Sequence, residues 1–416
     1  MERLAYRFEL ASIHLQDIRG FRTLHVDLQS GERPRKRTLI IGKNGTCKSS
    51  LLRAIAIGIS DRVDATSLLS EKNGSFVSET ARRGRITLTL SEHGPETKVI
   101  NVTKTIRRLK EGKDSIWNDL MSNRPELSNE RPLNLVCAYG AGRFGIGPDS
   151  GRGYRIADSV ATLFRYNQTL IDPELTLRRL QASLEPELYD RTLQGIKRAL
   201  GLSEDDNFEL PPSGGVLISG PTAGNKISLE SLADGYRLTF SWILDLYAWA
   251  LKAGSVDAEG HVEGILLIDE IEQHLHPSMQ AEILPRLSEL LPKMQIFATT
   301  HSPLVALDAK PEELVVLRRE GDHVIAEQRV PDFSGYSAED MLSDPRLFDT
   351  EVYGSETREK LSEYRKLASI PKEVRSPEER HKLRSLATEI NSFETPQERE
   401  SETSRLLKEL MTKYGL

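Results

Sequence analysis

Two short stretches of this chain carry residue types that could do chemistry together. The first is Gly42-Lys43-Asn44-Gly45-Thr46-Cys47-Lys48-Ser49-Ser50, which fits G-x-x-x-x-G-K-[ST] except that Cys47 stands where the last glycine belongs. In such a loop the backbone N–H groups and the following helix N-terminus cradle phosphate oxygens. Lys48 would neutralise the terminal phosphates and the Ser49 hydroxyl would ligate Mg²⁺. The second stretch is Ile265-Leu266-Leu267-Ile268-Asp269-Glu270. Its apolar run reads as a strand buried on both faces, and the C-terminal end of such a strand opens into the ligand crevice of an α/β sheet. Acids placed there cost free energy unless a metal, a base role or a partner compensates. Asp269 could hold the same Mg²⁺ as Ser49, and Glu270 could orient or deprotonate water.

Weaker candidates surround these two. His301 ends the apolar run Gln295-Ile296-Phe297-Ala298-Thr299-Thr300 and could reach the terminal phosphate. His274 and His276 offer a metal reading with Glu270 and Glu272, but the spacing matches no zinc pattern, and packing of the turn is the alternative. Cys47, beside Lys48 at a helix start, is either a reactive thiol or a tolerated substitution. Ser231-Leu232-Ala233-Asp234-Gly235-Tyr236-Arg237 precedes a helix; its turn could present N–H donors to an anion or serve only as a cap.

The positioning elements follow from periodicity. Residues 12–28 read as a hairpin entering a sheet, 38–41 as the strand before the loop and 51–57 as the helix after it. Residues 85–91 and 99–106 alternate as an antiparallel pair added to the main sheet, whereas 110–131 reads as loop or weak helix. A strand at 134–138, a helical stretch at 158–202, helices at 232–253 and 278–291 and a closing hairpin at 313–328 complete the pattern. Ser376-Pro377-Glu378-Glu379 and Thr395-Pro396-Gln397-Glu398 look like helix starts in a charged tail.

Composition sets the outer bounds. A 38% hydrophobic and 28% charged chain is an ordinary globular one, and no apolar run is long enough to span a membrane. Two cysteines and the absence of a secretory pattern at the start fit a reducing, cytoplasmic setting. A net charge of −6 gives no global argument for nucleic acid, and local Arg/Lys clusters read as solvated faces.

In combination and order, these motifs resemble an ABC-class P-loop ATPase of the SMC/RecF/OLD-like group. Gly42 to Ser49 looks like Walker A, Leu232 to Arg237 like the signature motif, Ile265 to Glu270 like Walker B, and His301 like the switch histidine. Ala138-Tyr139-Gly140-Ala141-Gly142-Arg143, Asp234-Gly235-Tyr236-Arg237 and the tail with Glu363-Tyr364-Arg365 resemble the ATPases of prokaryotic anti-phage systems, the Septu (PtuA-like) and retron-associated ones. The resemblance implies an ABC-type P-loop NTPase sheet with an antiparallel β subdomain, a helical lobe and a C-terminal helical tail. The expected division is 1–333 for the ATPase domain, with the β insertion about 80–110 and the lobe about 155–205, and 334–416 for a partner-docking tail.

It also implies ATP and Mg²⁺ as cofactors, held by residues 42–50 and, across a head-to-tail dimer, by Ala233, Asp234, Gly235 and Tyr236. Ser49 and Asp269 would hold the metal, and Glu270 and His301 would be catalytic. Cys47 and Ala233, standing for a glycine and a serine, imply slower hydrolysis. The segment from Tyr139 to Leu232 is too short for a long coiled coil, and the tail shows neither an OLD-type nuclease pattern nor an HNH-like cluster. A separately encoded, HNH-type effector nuclease is therefore the expected partner, with DNA or RNA as a further ligand class. A DNA-repair clamp that binds DNA itself is the alternative; a transporter subunit fits the surroundings less well.

Overall fold

The computed structural model describes residues 8–70, 74–92, 98–109, 113–122, 134–222, 224–328, 330, 332–350, 354–370 and 374–392. The strands that position the site are β1 (Phe8–Ile18), β2 (Phe21–Asp27), β3 (Arg37–Gly42), β4 (Arg83–Glu92), β5 (Lys98–Arg108), β6 (Asp114–Ser122), β7 (Val136–Tyr139), β8 (Gly264–Ile268), β9 (Met294–Thr299), β10 (Leu314–Glu320) and β11 (His323–Glu327). The helices are α1 (Lys48–Ile59), α2 (Pro173–Ser183), α3 (Pro186–Leu200), α4 (Asp234–Ala253) and α5 (Pro277–Leu290).

A six-stranded sheet runs β11-β10-β3-β9-β8-β7, parallel except for the edge strand β11. Its central strands are apolar at successive positions because both faces are covered. Leu39, Ile41, Leu266, Ile268, Ile296 and Ala298 face a core with α4 and α5. Ile40, Ile265, Leu267 and Phe297 face the other way, into a core shared with α1 and a second sheet. That second sheet, β2-β1-β4-β5-β6, is antiparallel throughout. Helix α1 is pressed onto it so closely that a Cβ at Gly58 would lie 2.5 Å from Leu88 Cδ1.

Three expectations need correction. The antiparallel pair β4–β5 does not extend the main sheet; it joins the β1–β2 hairpin in a sheet of its own. Within 110–131, where loop or weak helix was expected, Asp114–Ser122 forms the edge strand β6 of that sheet. A bulge between Thr105 and Ile106 inserts Trp117 out of register and breaks the alternation. Lys104 and Asp119, charged residues in a strand pair, are turned inward against each other at 2.6 Å. The expected helical stretch 158–202 is likewise interrupted by a strand, Thr169–Ile171, which pairs in parallel with Gly145–Gly147 before α2 begins.

The chain divides into compact units Met1–Asp349 and Thr350–Leu416. The division falls at Asp349 because Phe333, Met341, Leu347 and Phe348 are buried in the core of the first unit. The second contains helices Ser355–Ala368 and Pro377–Ser392; the helix start expected at 395–398 lies outside the described residues. No described helix is long and apolar enough to cross a membrane.

One buried charge makes the core sensitive to pH. Asp245 on α4 lies under β7, accepting from Tyr139 Oη at 2.9 Å and from the Ile171 N–H at 2.8 Å. Burial lifts its carboxyl from 3.8 to about 6, against the lowering effect of those hydrogen bonds. The folded state therefore takes up the proton more readily than the unfolded one. The stability this gives is full below the unfolded value and is lost as pH rises through about 6. Asp245→Asn is expected to raise the melting temperature near neutral pH and to flatten its pH dependence between 3.8 and about 6, read by thermal unfolding across that range.

Candidate active site at the ends of the parallel strands

Strand β3 ends at Gly42 (φ 153°), where a Cβ would meet the Leu317 carbonyl oxygen at 2.4 Å, so only glycine lets the chain leave the sheet here. The loop crest, Lys43 to Gly45, is exposed, and Thr46 Oγ1 ties it together by donating to the Lys43 carbonyl at 2.8 Å. Lys43 itself reaches Asp349 at 2.6 Å. Cys47 then turns the chain into α1 from a left-handed conformation (φ 64°) without a side-chain cap. The first N–H groups of α1, like those of any helix, lack intrahelical partners, and with no acid in the first turn their partial positive charge is unopposed locally. An uncapped helix start of this kind fits a phosphate.

Lys48 folds back beneath the loop. Its ammonium donates to the carbonyls of Gly42 at 2.7 Å and Lys43 at 3.3 Å, and the residue is only 7% exposed. Burial lowers its pKa, while Asp269, Glu270 and Glu272 act in the opposite sense and favour the charged form. The lysine and the acids, distant in sequence, therefore share one electrostatic environment.

Adjacency of β3, β9 and β8 brings this about, because three parallel neighbours deliver their C-terminal ends side by side. Asp269 is buried at the end of β8, and the Thr299 hydroxyl at the end of β9 donates to its Oδ1 at 2.6 Å. The same Thr299 oxygen accepts the Glu270 N–H at 2.8 Å. Glu270 is half-buried with φ 49°, an uncommon conformation for a non-glycine residue. Ser49, Ser50 and His301 are also half-buried. Ser49 and Asp269 offer oxygen ligands of the kind a hard cation such as Mg²⁺ takes.

Ala233 is the N-cap of the long helix α4, and Ala233 and Asp234 are exposed. Gly235 packs on the segment following the acids, where its Cβ would lie 2.6 Å from the His274 carbonyl oxygen. Tyr236 is half-buried, and Arg237 pairs with Asp234 at 2.7 Å. The two histidines of the metal reading are spoken for otherwise. His276 caps α5 through Ser278, and the His274 ring packs edge-on against Phe144 at 5.2 Å. A cleft of about 660 Å³ borders the loop at Cys47 and Ser50, with Arg19, Arg22, Ser78 and Arg108 among its walls.

Residues 12–144 match the family described as "AAA domain", and residues 147–308 match that described as "AAA domain, putative AbiEii toxin, Type IV TA system". The loop lies in the first match and the acid pair in the second. The chain is 27% identical to the Septu protein PtuA of Bacillus mycoides over 401 residues, covering 92% of this chain and 51% of that protein. It is 32% identical over 95 residues to a probable ATPase of retron Vc95 from Vibrio cholerae, covering 23% of this chain and 18% of that protein. The chain thus spans about half the length of the Bacillus mycoides relative, and less of the Vibrio one. Among solved structures it is similar to the SMC head domain from Thermotoga maritima, with TM-score 0.44 and 16% identity, covering 78% of this chain and 99% of that one. The loop and the acid pair thus lie in stretches that are similar to AAA domains and to the Septu protein.

Three further residues hold the acid end in place. Arg143, 4% exposed, donates to the carbonyls of Gly140 at 3.0 Å, Asp269 at 2.7 Å and Glu270 at 2.9 Å. Burial lowers its pKa to about 10, and Asp269, Glu272 and Glu270 oppose that shift. Thr299 orients both acids. Glu272 accepts the His301 N–H at 2.6 Å and the Thr300 hydroxyl at 2.7 Å, which ties the segment after β8 to the end of β9. In the sequence Arg143 stood out as a lone cation in a glycine-rich turn and Glu272 as a candidate metal ligand, and Thr299 carried no signal.

Arg143→Met would remove hydrogen bonds from three buried carbonyls while leaving the acids near an apolar chain. It is expected to destabilise the protein by about 2–4 kcal/mol, read as a lowered melting temperature. Arg143→Lys should recover only part of this, because an ammonium lacks the planar fork that spans the carbonyls.

Proposed function

We propose that this chain binds ATP with Mg²⁺ and hydrolyses it, and that the nucleotide state controls a separately encoded effector nuclease in a prokaryotic anti-phage defence system. The observation that carries the nucleotide part is the buried Lys48 ammonium beneath an uncapped helix start, in the same environment as Asp269 and Glu270. A triphosphate on the loop would meet the N–H groups of α1 and the Lys48 charge. Ser49 and Asp269 would hold Mg²⁺, which would offset the repulsion between phosphate and acids. Glu270, held by Thr299 and Arg143, is the base for water, and the cleft beside Cys47 and Ser50 accommodates the nucleoside.

The exposed Ala233-Asp234 start of α4 supports a head-to-tail dimer, since the Asp234 and Gly235 N–H groups there have no helical partner and would meet phosphate on a second copy. The defence role rests on the similarity to the Septu and retron proteins.

Lys48→Ala is expected to abolish ATP binding in a titration with a fluorescent ATP analogue. Glu270→Gln is expected to keep that affinity while lowering steady-state phosphate release by about 100-fold or more, and to prolong an ATP-dependent dimer in light scattering. Hydrolysis by Glu270→Gln at the unaltered rate would remove Glu270 as the base. Co-purification from the native operon tests the effector: an associated nuclease supports the regulatory role, and repeated isolation of this chain alone argues against it.

A further inference from the structure

The outer face of the antiparallel sheet carries a feature that the nucleotide site does not use. Arg83 on β4 and Arg107 on β5 are direct cross-strand partners, both exposed. Like charges placed opposite one another on a sheet repel, so the pair costs stability unless something negative lies over it. Among the described residues, the side chains of these two and of Arg85, two positions on, make no ion pair or side-chain hydrogen bond. Their nearest aromatic is Trp117 on β6, whose ring centroid lies 5.1 Å from the Arg83 guanidinium carbon and 4.9 Å from that of Arg107.

Trp117 reaches this place through the bulge in β6. Ile116 pairs with Ile106 and Asn118 with Thr105, so Trp117 is the extra residue with no partner in the ladder. Bulges re-aim side chains, and this one turns a large aromatic outward, where it stays 50% exposed. The cleft beside it, about 370 Å³, is lined by Arg83, Arg85, Thr105, Trp117, Asn118 and Asp17. Two arginines against a single carboxylate, with Arg107 beside the Trp117 ring, leave it positive. The other acid of β6's outer half, Asp119, is turned inward to Lys104. Beyond the cleft the face continues with Thr87, Thr103 and the histidine pair His14 and His25, their rings 6.1 Å apart.

We propose that this face binds single-stranded nucleic acid, with a base stacked on Trp117 and the flanking phosphates held by Arg83, Arg85 and Arg107. An exposed ring flanked by unpaired guanidinium groups matches the requirements of a base and its phosphates, each base offering a π-face and each phosphate a charge. A duplex keeps its base faces inside the stack and would engage only the arginines, so the aromatic selects the single strand. The positive field excludes basic partners, while Trp117 with Asn118 and the threonines offers donors and acceptors for base edges. The proposal does not depend on the ATP reading, because none of these side chains lines the P-loop.

The test is fluorescence anisotropy of the full-length protein with labelled oligothymidylate, oligouridylate and a duplex of equal length, over a range of salt. Both single strands are expected to bind more tightly than the duplex, with Trp117 emission quenched on binding. Trp117→Ala is expected to weaken single-strand binding about tenfold, and Trp117→Phe to restore most of it. Arg83→Gln and Arg107→Gln are each expected to reduce the slope of log affinity on log salt by about 0.7. The substituted side chains are exposed, so unchanged melting curves and ATP-analogue binding would exclude misfolding. A preference for oligouridylate over oligothymidylate would assign the strand as RNA, and the reverse as DNA. Unaltered affinity in Trp117→Ala, tighter binding of the duplex, or capture of polyglutamate in place of both strands would each overturn the proposal.

Discussion

The placement of one ammonium group governs this structure. Lys48 is buried beneath its own loop, and burial alone would favour its neutral form. Its charge is sustained by the carbonyls of Gly42 and Lys43 and by acids at the end of a strand two positions away in the sheet. Those acids are in turn kept together by residues that have no chemistry of their own. The sheet order β3-β9-β8 is therefore an electrostatic requirement as well as a packing one. Each strand supplies one member: the loop, the orienting hydroxyl of Thr299, and the acid pair.

The acid end is over-determined, and that explains the backbone of Glu270. A left-handed conformation at a non-glycine residue costs of order 1–3 kcal/mol and persists only where its surroundings enforce it. Here Thr299 accepts the Glu270 N–H, Arg143 donates to its carbonyl, and the next N–H, from Ile271, goes to the Thr299 carbonyl at 3.0 Å. With the backbone pinned on both sides, the Cα–Cβ direction of Glu270 is settled before any ligand arrives. Glu272 extends the same network to Thr300 and His301, so a displacement at His301 would be felt at the acids through a single carboxylate.

How much of this could be read from the sequence depended on whether the information was contiguous. The loop and the acid strand were legible because each is one run of residues with its own physical signature. The buried parallel strands were legible because they are apolar at successive positions. Arg143, Thr299 and Glu272 were not singled out as holding the acid end, because their roles exist only through contacts made across the fold. Strand β6 was missed because its bulge destroys the alternation that would announce it. Lys104 and Asp119 also look like surface residues until they are seen facing each other inside. The short strand Thr169–Ile171 had too few residues to show any period.

Cys47 shows how a departure from a motif can be absorbed. The residue adopts φ 64°, the conformation that makes glycine usual there, and it carries a side chain into a tightly packed region. The space is found at Gly20, in the turn between β1 and β2, where an added Cβ would lie 3.0 Å from Cys47 Sγ and 3.2 Å from Val324 Cγ2. Glycine is absent at position 47 and present at position 20, in the turn that packs on it, so the close approach is kept with the small residue on the other side of the contact. What is not recovered is the backbone preference, since Gly20 does nothing for the left-handed φ of Cys47. The remaining strain sits at the residue that caps α1, next to the lysine, where it bears on the orientation of the N–H groups that a phosphate would meet.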